Sequence, residues 1–144
     1  MVKAWGDEPF VSLDASRLRD GRYEVKVEVD DLPGNGPLRA LADQATSARF
    51  AVTHTRPTFE AASAVAGKSG VRFRFAVKAA LPLSLVECSI GGDAWVPVDP
   101  MDGILDDTVE RFDVMMPGAA TFGSSSCRCE DEGRNRAKVD LPVK

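Results

Sequence analysis

Apolar and polar residues alternate along several short stretches of the chain. In residues 22–30, Val25, Val27 and Val29 share one side and charged residues occupy the other. Residues 71–78 repeat the pattern, and their apolar side carries Val71, Phe73, Phe75 and Val77. A period of two with one apolar side is typical of an antiparallel strand that buries one face. Both stretches are therefore predicted to be half-buried antiparallel strands.

Further short strands are predicted at 85–90, 95–98, 109–114, 126–130 and 136–141, separated by glycine- and proline-rich turns. Gly91-Gly92-Asp93 is a tight hairpin signal, and residues 131–135 form a turn of types that tolerate left-handed backbone. Pro97 places its strand at a sheet edge. One or two helical turns are expected around 38–44. Strands at this spacing predict an all-β antiparallel sandwich.

A weak internal repeat divides the chain. Residues 20–52 and 117–141 each contain a strand, an Asp/Gly/Asn turn and a second strand, as in the last hairpin of a β-sandwich. The second copy has roughly sixty strand-forming residues before it and the first only about twenty, too few to bury a core. We therefore expect a partial sandwich unit, terminal strands only, at 1–55 and a complete sandwich at 57–144.

Composition narrows the class of function. The chain has 144 residues, with 18 Lys and Arg against 22 Asp and Glu, and no basic stripe, so nucleic acid is not the expected partner. No apolar run reaches the ~20 residues of a membrane helix, and no signal peptide is visible at the N-terminus. The single histidine, His54, lies just before Pro57 in a predicted linker. Phosphate-binding, zinc-protease and nucleophile-elbow motifs are absent, so we expect no enzyme.

The acidic loop between the predicted strands at 95–98 and 109–114 has two interpretations. Its carboxylates could supply oxygen ligands to calcium, although the spacing from Asp99 to Glu110 does not fit an EF-hand. Alternatively they form Asx-turns and keep the loop soluble. The candidate calcium ligands are Asp99, Asp102, Asp106 and Asp107.

The three cysteines also leave alternatives open. Cys88 alternates with Val86 and Ile90, and Cys127 and Cys129 share a face of their own strand. They are predicted to be small core residues, while a cross-strand disulfide from Cys88 is possible if the two strands are neighbours. A metal or redox site would lack a fourth ligand nearby.

A protein-contact surface is predicted in the N-terminal part. Trp5 lies in a polar segment and either packs on the sandwich or anchors another protein. The segment 32–46 is long for a loop in so small a domain, and such loops are often functional. Its exposed apolar candidates are Leu32, Leu38 and Leu41.

Several motifs resemble a bacterial fibronectin type III-like, or immunoglobulin-like, module. The similarity rests on Glu-Cys-Ser-Ile-Gly-Gly-Asp-Ala-Trp-Val-Pro-Val at 87–98, on Pro-Met-Asp-Gly-Ile at 100–104, and on Glu-Arg-Phe at 110–112. The chain departs from the pattern at Cys88, where an aromatic is usual, and at Arg134, where the closing turn normally has glycine. Cys127 and Cys129 replace small aliphatic residues. The resemblance implies a non-catalytic module of the kind found at the C-terminal end of large secreted or β-propeller proteins.

The expected function is protein–protein interaction or structural support, as an accessory subunit of a larger assembly or the tail of a longer protein. The partner would be another protein or a second copy, bound through an unpaired β-edge of the N-terminal unit. The resemblance implies an extracytoplasmic or cell-surface location. The alternative is a calcium-dependent ligand- or carbohydrate-binding sandwich that uses the acidic loop; otherwise no cofactor is expected.

Overall fold

The computed structural model describes residues 12–118 and 124–144. These residues form antiparallel sheets with short turns, so the predicted all-β class is confirmed. The chain divides into two compact units, Met1–Val52 and Thr53–Lys144. Within the described ranges, no helix is long and apolar enough to cross a membrane.

The first unit contains a long β-hairpin. Strand β2 (Lys26–Asp30) pairs with β3 (Ala42–Thr46), and next to them β1 (Gly21–Tyr23) pairs with β4 (Phe50–Val52). A 3-10 turn at Ala15–Arg17 precedes the hairpin, and its side chains are exposed. The hairpin therefore has the strand–turn–strand order that the internal repeat predicted.

The connection between β2 and β3 differs from the prediction. The helical turn α1 lies at Leu32–Asn35, and residues 42–46, expected to be partly helical, form β3. The helical turn forms earlier because the Asp31 carbonyl accepts hydrogen bonds from the Gly34 and Asn35 amides. Gly36 ends it with φ +67°, a conformation that glycine adopts without strain.

The valine face of the first unit is exposed. Val27 and Val29 are 52% and 57% exposed, although their alternation predicted a half-buried strand. The strand is present and antiparallel, but the rest of the described unit supplies no sheet that covers this face. Residues 12–32 and 34–52 contain no buried side chain.

In the second unit, residues 53–118 and 124–144 form two sheets. A three-stranded sheet has the order β5 (Thr58–Gly67), β6 (Gly70–Lys78), β9 (Val109–Met116). A four-stranded sheet has the order β11 (Arg136–Pro142), β10 (Ser124–Asp131), β7 (Leu83–Ser89), β8 (Val96–Pro97). Strand β8 contains Pro97 and lies at the end of its sheet, so its predicted edge position is confirmed.

The core of the second unit comes from the inward faces of both sheets. The alternation in β6 predicted it correctly, since Val71, Phe73, Phe75 and Val77 are all buried. The Phe75 ring stacks on Phe112 of β9 at 4.7 Å between centroids. The four-stranded sheet adds buried residues from β7, β10 and β11, namely Val86, Cys88, Cys127, Cys129 and Leu141.

Strand β5 has no clear signal in the sequence. Its residues are rich in alanine and do not alternate regularly, so no strand was predicted at 58–67. Its pairing with β6 shifts register between Glu60 and Ser63, and Ala61 has φ +50°. This irregularity breaks the period of two that would have identified the strand.

The turn from β10 to β11 matches its prediction. The buried Asp131 side chain accepts hydrogen bonds from the Asn135 backbone amide at 2.9 Å and from its side-chain amide at 3.2 Å. Arg134 has φ +62°, the left-handed conformation for which glycine is the usual residue. The turn therefore keeps the left-handed geometry that the sequence indicated, with an arginine in that position.

Candidate functional site

The predicted contact leucines lie on the connection between β2 and β3. The Asp31 carboxylate organises this connection by accepting hydrogen bonds from the Leu41 amide at 2.7 Å and the Asn35 side chain at 2.5 Å. Leu32, Leu38 and Leu41 are exposed, Leu38 by 99%. Their role as a contact surface stays a prediction. Trp5, the fourth candidate, lies outside the described residues.

The same unit has an apolar hairpin surface that the leucine prediction did not include. We call the exposed face formed by Val27 and Val29 of β2 the hairpin surface; the separate β1–β4 pair adds two further apolar residues, Tyr23 and Phe50. Tyr23 and Phe50 are paired across β1 and β4, and their rings stack with centroids 6.2 Å apart. Val27 and Val29 lie on β2 with Lys26, Glu28 and Asp30 on its opposite face. On the partner strand β3, Ala45 is opposite Val27 and Asp43 is opposite Val29, so the hairpin surface is an exposed pair of valines on a two-stranded ladder.

The acidic loop is organised by a carboxylate outside the candidate calcium set. Glu110 is buried and accepts hydrogen bonds from the amides of Asp106 and Asp107, at 3.1 and 3.0 Å. Asp102 accepts from the Ile104 amide at 3.2 Å, and Asp107 from the Thr108 amide at 2.6 Å. The Asp102 bond, which runs two residues along the chain, is of the Asx-turn type that the alternative interpretation predicted.

The calcium hypothesis gains no geometric support from these contacts. Among residues 12–118 and 124–144, no three His, Cys, Asp or Glu side chains form a group that could hold a metal ion. Asp99 and Asp106 are exposed. Calcium binding by Asp99, Asp102, Asp106 and Asp107 stays a prediction.

Two of the three cysteines form a disulfide, and the third is a free thiol. Cys88 of β7 and Cys127 of β10 are directly opposite in the ladder and are bonded, with Cα atoms 4.1 Å apart. The disulfide alternative is therefore confirmed, and all three cysteines are buried as core residues would be. Burial raises the pKa of the Cys129 thiol to about 11, so it is a neutral thiol at physiological pH.

His54 is exposed in the linker segment, as predicted.

A groove lies on the outer face of the four-stranded sheet. Ser126 of β10 is paired with Ser89 on β7 and with Asp140 on β11, so small polar residues occupy adjacent strands. A cavity of about 360 Å³ opens above them, between Trp95 and Lys138. We call it the sheet groove; Gly92, Asp93 and Ser124 complete its lining.

The polar side chains of the sheet groove are already oriented by hydrogen bonds. The Ser126 hydroxyl donates to Asp140 at 2.6 Å, and the Lys138 ammonium lies 2.9 Å from the same carboxylate oxygen. The pKa of the Asp140 carboxyl is held below its usual value, mainly by the hydrogen bond from Ser126 and next by the hydrogen bond and positive charge of Lys138. Ser89 donates to the Asp93 carbonyl at 2.7 Å.

Trp95 is held on the other side of the groove. The guanidinium of Arg128 lies over its ring, 4.3 Å from the centroid, and Arg128 is in turn 2.7 Å from the Glu87 carboxylate. The indole is half-buried and packed on one face. The sequence alone could not identify this groove, since its residues are separated along the chain and meet only through strand pairing.

No family model, curated protein or solved structure matches this chain.

Proposed function

We propose that the chain is a non-catalytic protein–protein interaction or structural module of fibronectin type III-like type. Its first unit would be the last hairpin of a sandwich whose other strands come from elsewhere. The observation that carries the proposal is the exposed hairpin surface, in a unit whose residues 12–32 and 34–52 include no buried side chain.

An isolated hairpin is at best marginally stable in water, so a further sheet is needed to hold it. Full burial of a valine side chain contributes about 1.5–3 kcal/mol, and Val27 and Val29 are each more than half exposed. Covering the exposed half of both side chains would therefore supply about 1.5–3 kcal/mol in total to an association.

The second unit contains a similar hairpin, β10–β11, whose apolar face is buried. Strands β10 and β11 present Cys127, Cys129 and Leu141 inward, and all three are buried. Strand β7 extends the edge of that hairpin. The contrast supports the inference that the first hairpin also requires an added strand and a facing sheet, the arrangement of β-augmentation.

The strand orders β5-β6-β9 and β11-β10-β7-β8 support a fibronectin type III-like arrangement for the second unit. The Cys88–Cys127 disulfide supports an extracytoplasmic or cell-surface location, because disulfides persist mainly in oxidising compartments. In this proposal the chain acts as an accessory subunit or as the tail of a longer protein.

The test is the solution mass of the intact chain by light scattering, combined with hydrogen exchange. Val27→Ser/Val29→Ser removes the apolar hairpin surface, and Val65→Ser/Val109→Ser is the matched control because these valines are similarly exposed in the second unit. An oligomer that only the first double variant dissociates supports completion by a second copy. A monomer with unprotected amides in β2 and β3 supports completion by another protein. A monomer with fully protected amides in both strands overturns the proposal.

A further inference from the structure

The sheet groove combines an oriented aromatic ring with hydroxyl, carboxylate and ammonium groups. Ser89 and Ser126 form its floor, both on the outer face yet nearly buried, because the larger side chains of Trp95 and Lys138 rise on either side. Outward-facing serines at neighbouring positions leave a hollow in a surface that longer side chains would otherwise fill. The hollow therefore results from two small serine side chains between the larger side chains of Trp95 and Lys138.

The charged residues that line the sheet groove are Asp93, Lys138 and Asp140, which give it a net charge of −1. Lys138 and Asp140 form an ion pair, so the groove offers strong hydrogen-bond donors and acceptors without a large excess of one sign at its floor. The net negative charge disfavours an anionic ligand. A neutral ligand with several hydroxyl groups could use both members of the ion pair, since hydroxyls donate to the carboxylate and accept from the ammonium.

Trp95 supplies the apolar part of the groove. Its indole is held by Arg128, which is itself paired with Glu87, so little side-chain freedom remains to be lost when a ligand packs against it. Aromatic rings with a polar rim favour ligands that have both an apolar face and hydroxyl groups. A pyranose ring has this combination, because its C–H groups can form one face while its hydroxyls project from the rim.

We propose that the sheet groove binds a single ring of a neutral saccharide, with Trp95 against its C–H face and Asp140 and Lys138 bonded to its hydroxyls. A volume of about 360 Å³ is at the small end of ligand pockets and suits one ring. The site is separate from the Asp99–Asp107 loop and requires no calcium. It does not depend on how the first unit is completed.

The experiment titrates the intact, disulfide-bonded chain with the methyl glycosides of glucose, galactose, mannose and N-acetylglucosamine, each in the presence of EDTA. Two-dimensional NMR follows the indole N–H of Trp95 and the amides of Gly92, Ser126 and Asp140. We expect at least one glycoside to give saturable shifts in this set, with a Kd on the order of 1 mM.

Two variants and a control make the result specific. Trp95→Ala and Asp140→Asn should each raise the Kd at least tenfold, whereas Asp102→Asn, an exposed turn residue outside the groove, should leave it unchanged. Asp140→Asn preserves side-chain volume, so it tests the proposal even if Trp95→Ala unfolds. The proposal is overturned if no glycoside at about 50 mM gives saturable shifts. Shifts outside the groove, or a Kd that Asp140→Asn leaves unchanged, also overturn it.

Discussion

Cys88 and Cys127 are directly opposed on neighbouring strands and are joined by a disulfide that closes a loop spanning 39 residues. The bond connects β7 to β10 in the middle of the four-stranded sheet, and both residues are buried. It therefore fixes the register between two strands that are distant in sequence.

Removing this disulfide should be costly. For a loop of this length, the chain-entropy contribution is about 4 kcal/mol, so Cys88→Ala/Cys127→Ala should lower the free energy of unfolding by about that amount. Urea denaturation measures it, with Cys129→Ala as the control for loss of a buried sulfur. Thiol titration in denaturant without reductant should find one thiol per chain. Three reactive thiols would show that the bond is absent.

The Cys129 thiol predicts an alkaline loss of stability. Its pKa is raised by burial from an ordinary 9.0 to about 11, so the unfolded chain releases the proton first as pH rises. Stability from this group is complete below pH 9 and falls between pH 9 and 11, by up to about 1.4 kcal/mol per unit. Denaturation at several pH values should show this slope in the parent chain and a smaller one in Cys129→Ala. Equal slopes would contradict the assignment.

Gly70 should be the least replaceable glycine of the β5–β6 turn. It has φ +149°, and a Cβ there would lie 2.0 Å from the Met116 carbonyl oxygen of β9. Gly70→Ala should therefore destabilise the protein by about 3 kcal/mol or more, because backbone must move. Gly67→Ala is the matched control, since its added Cβ meets nothing closer than 3.5 Å. Similar melting temperatures for the two variants would be inconsistent with this close approach.

Arg134→Gly should stabilise the β10–β11 turn. A left-handed conformation costs a non-glycine residue about 1–2 kcal/mol, while glycine costs roughly 0.5–1 kcal/mol of extra backbone entropy. The expected net gain is up to about 1 kcal/mol, measured by thermal or urea denaturation. Glu132→Gly, at a position without positive φ, should instead lose stability. If both variants are less stable than the parent chain, the Arg134 side chain stabilises the turn by more than its left-handed backbone costs.

Calcium should leave the stability unchanged. In the acidic loop, the Asp102 and Asp107 carboxylates accept hydrogen bonds from nearby amides, and Glu110 binds two further amides. A calcium site with a Kd of about 0.1 mM would add about 2.7 kcal/mol at roughly 10 mM calcium. Calorimetry with calcium and with EDTA tests this directly. A clear rise in melting temperature, absent in Asp106→Asn, would establish the calcium site instead.

The sequence by itself determined the all-β class, the β6 core face and the β10–β11 turn. These features depend on short-range chemistry: a strand places successive side chains on opposite faces, and Asp, Gly and Asn favour turns within a few residues. Alternation in β6 was therefore enough to identify Phe73 and Phe75 as core residues. The irregular strand β5 was missed because its register shift removes that local signal.

The tertiary structure decided everything that depends on which strands are neighbours. The bond between Cys88 and Cys127 and the meeting of Ser89, Ser126 and Asp140 both require β10 to lie beside β7 and β11. It also decided that Val27 and Val29 remain exposed although their pattern resembles that of β6. A period of two indicates which face can be buried, but burial itself requires a second surface from distant residues or another chain.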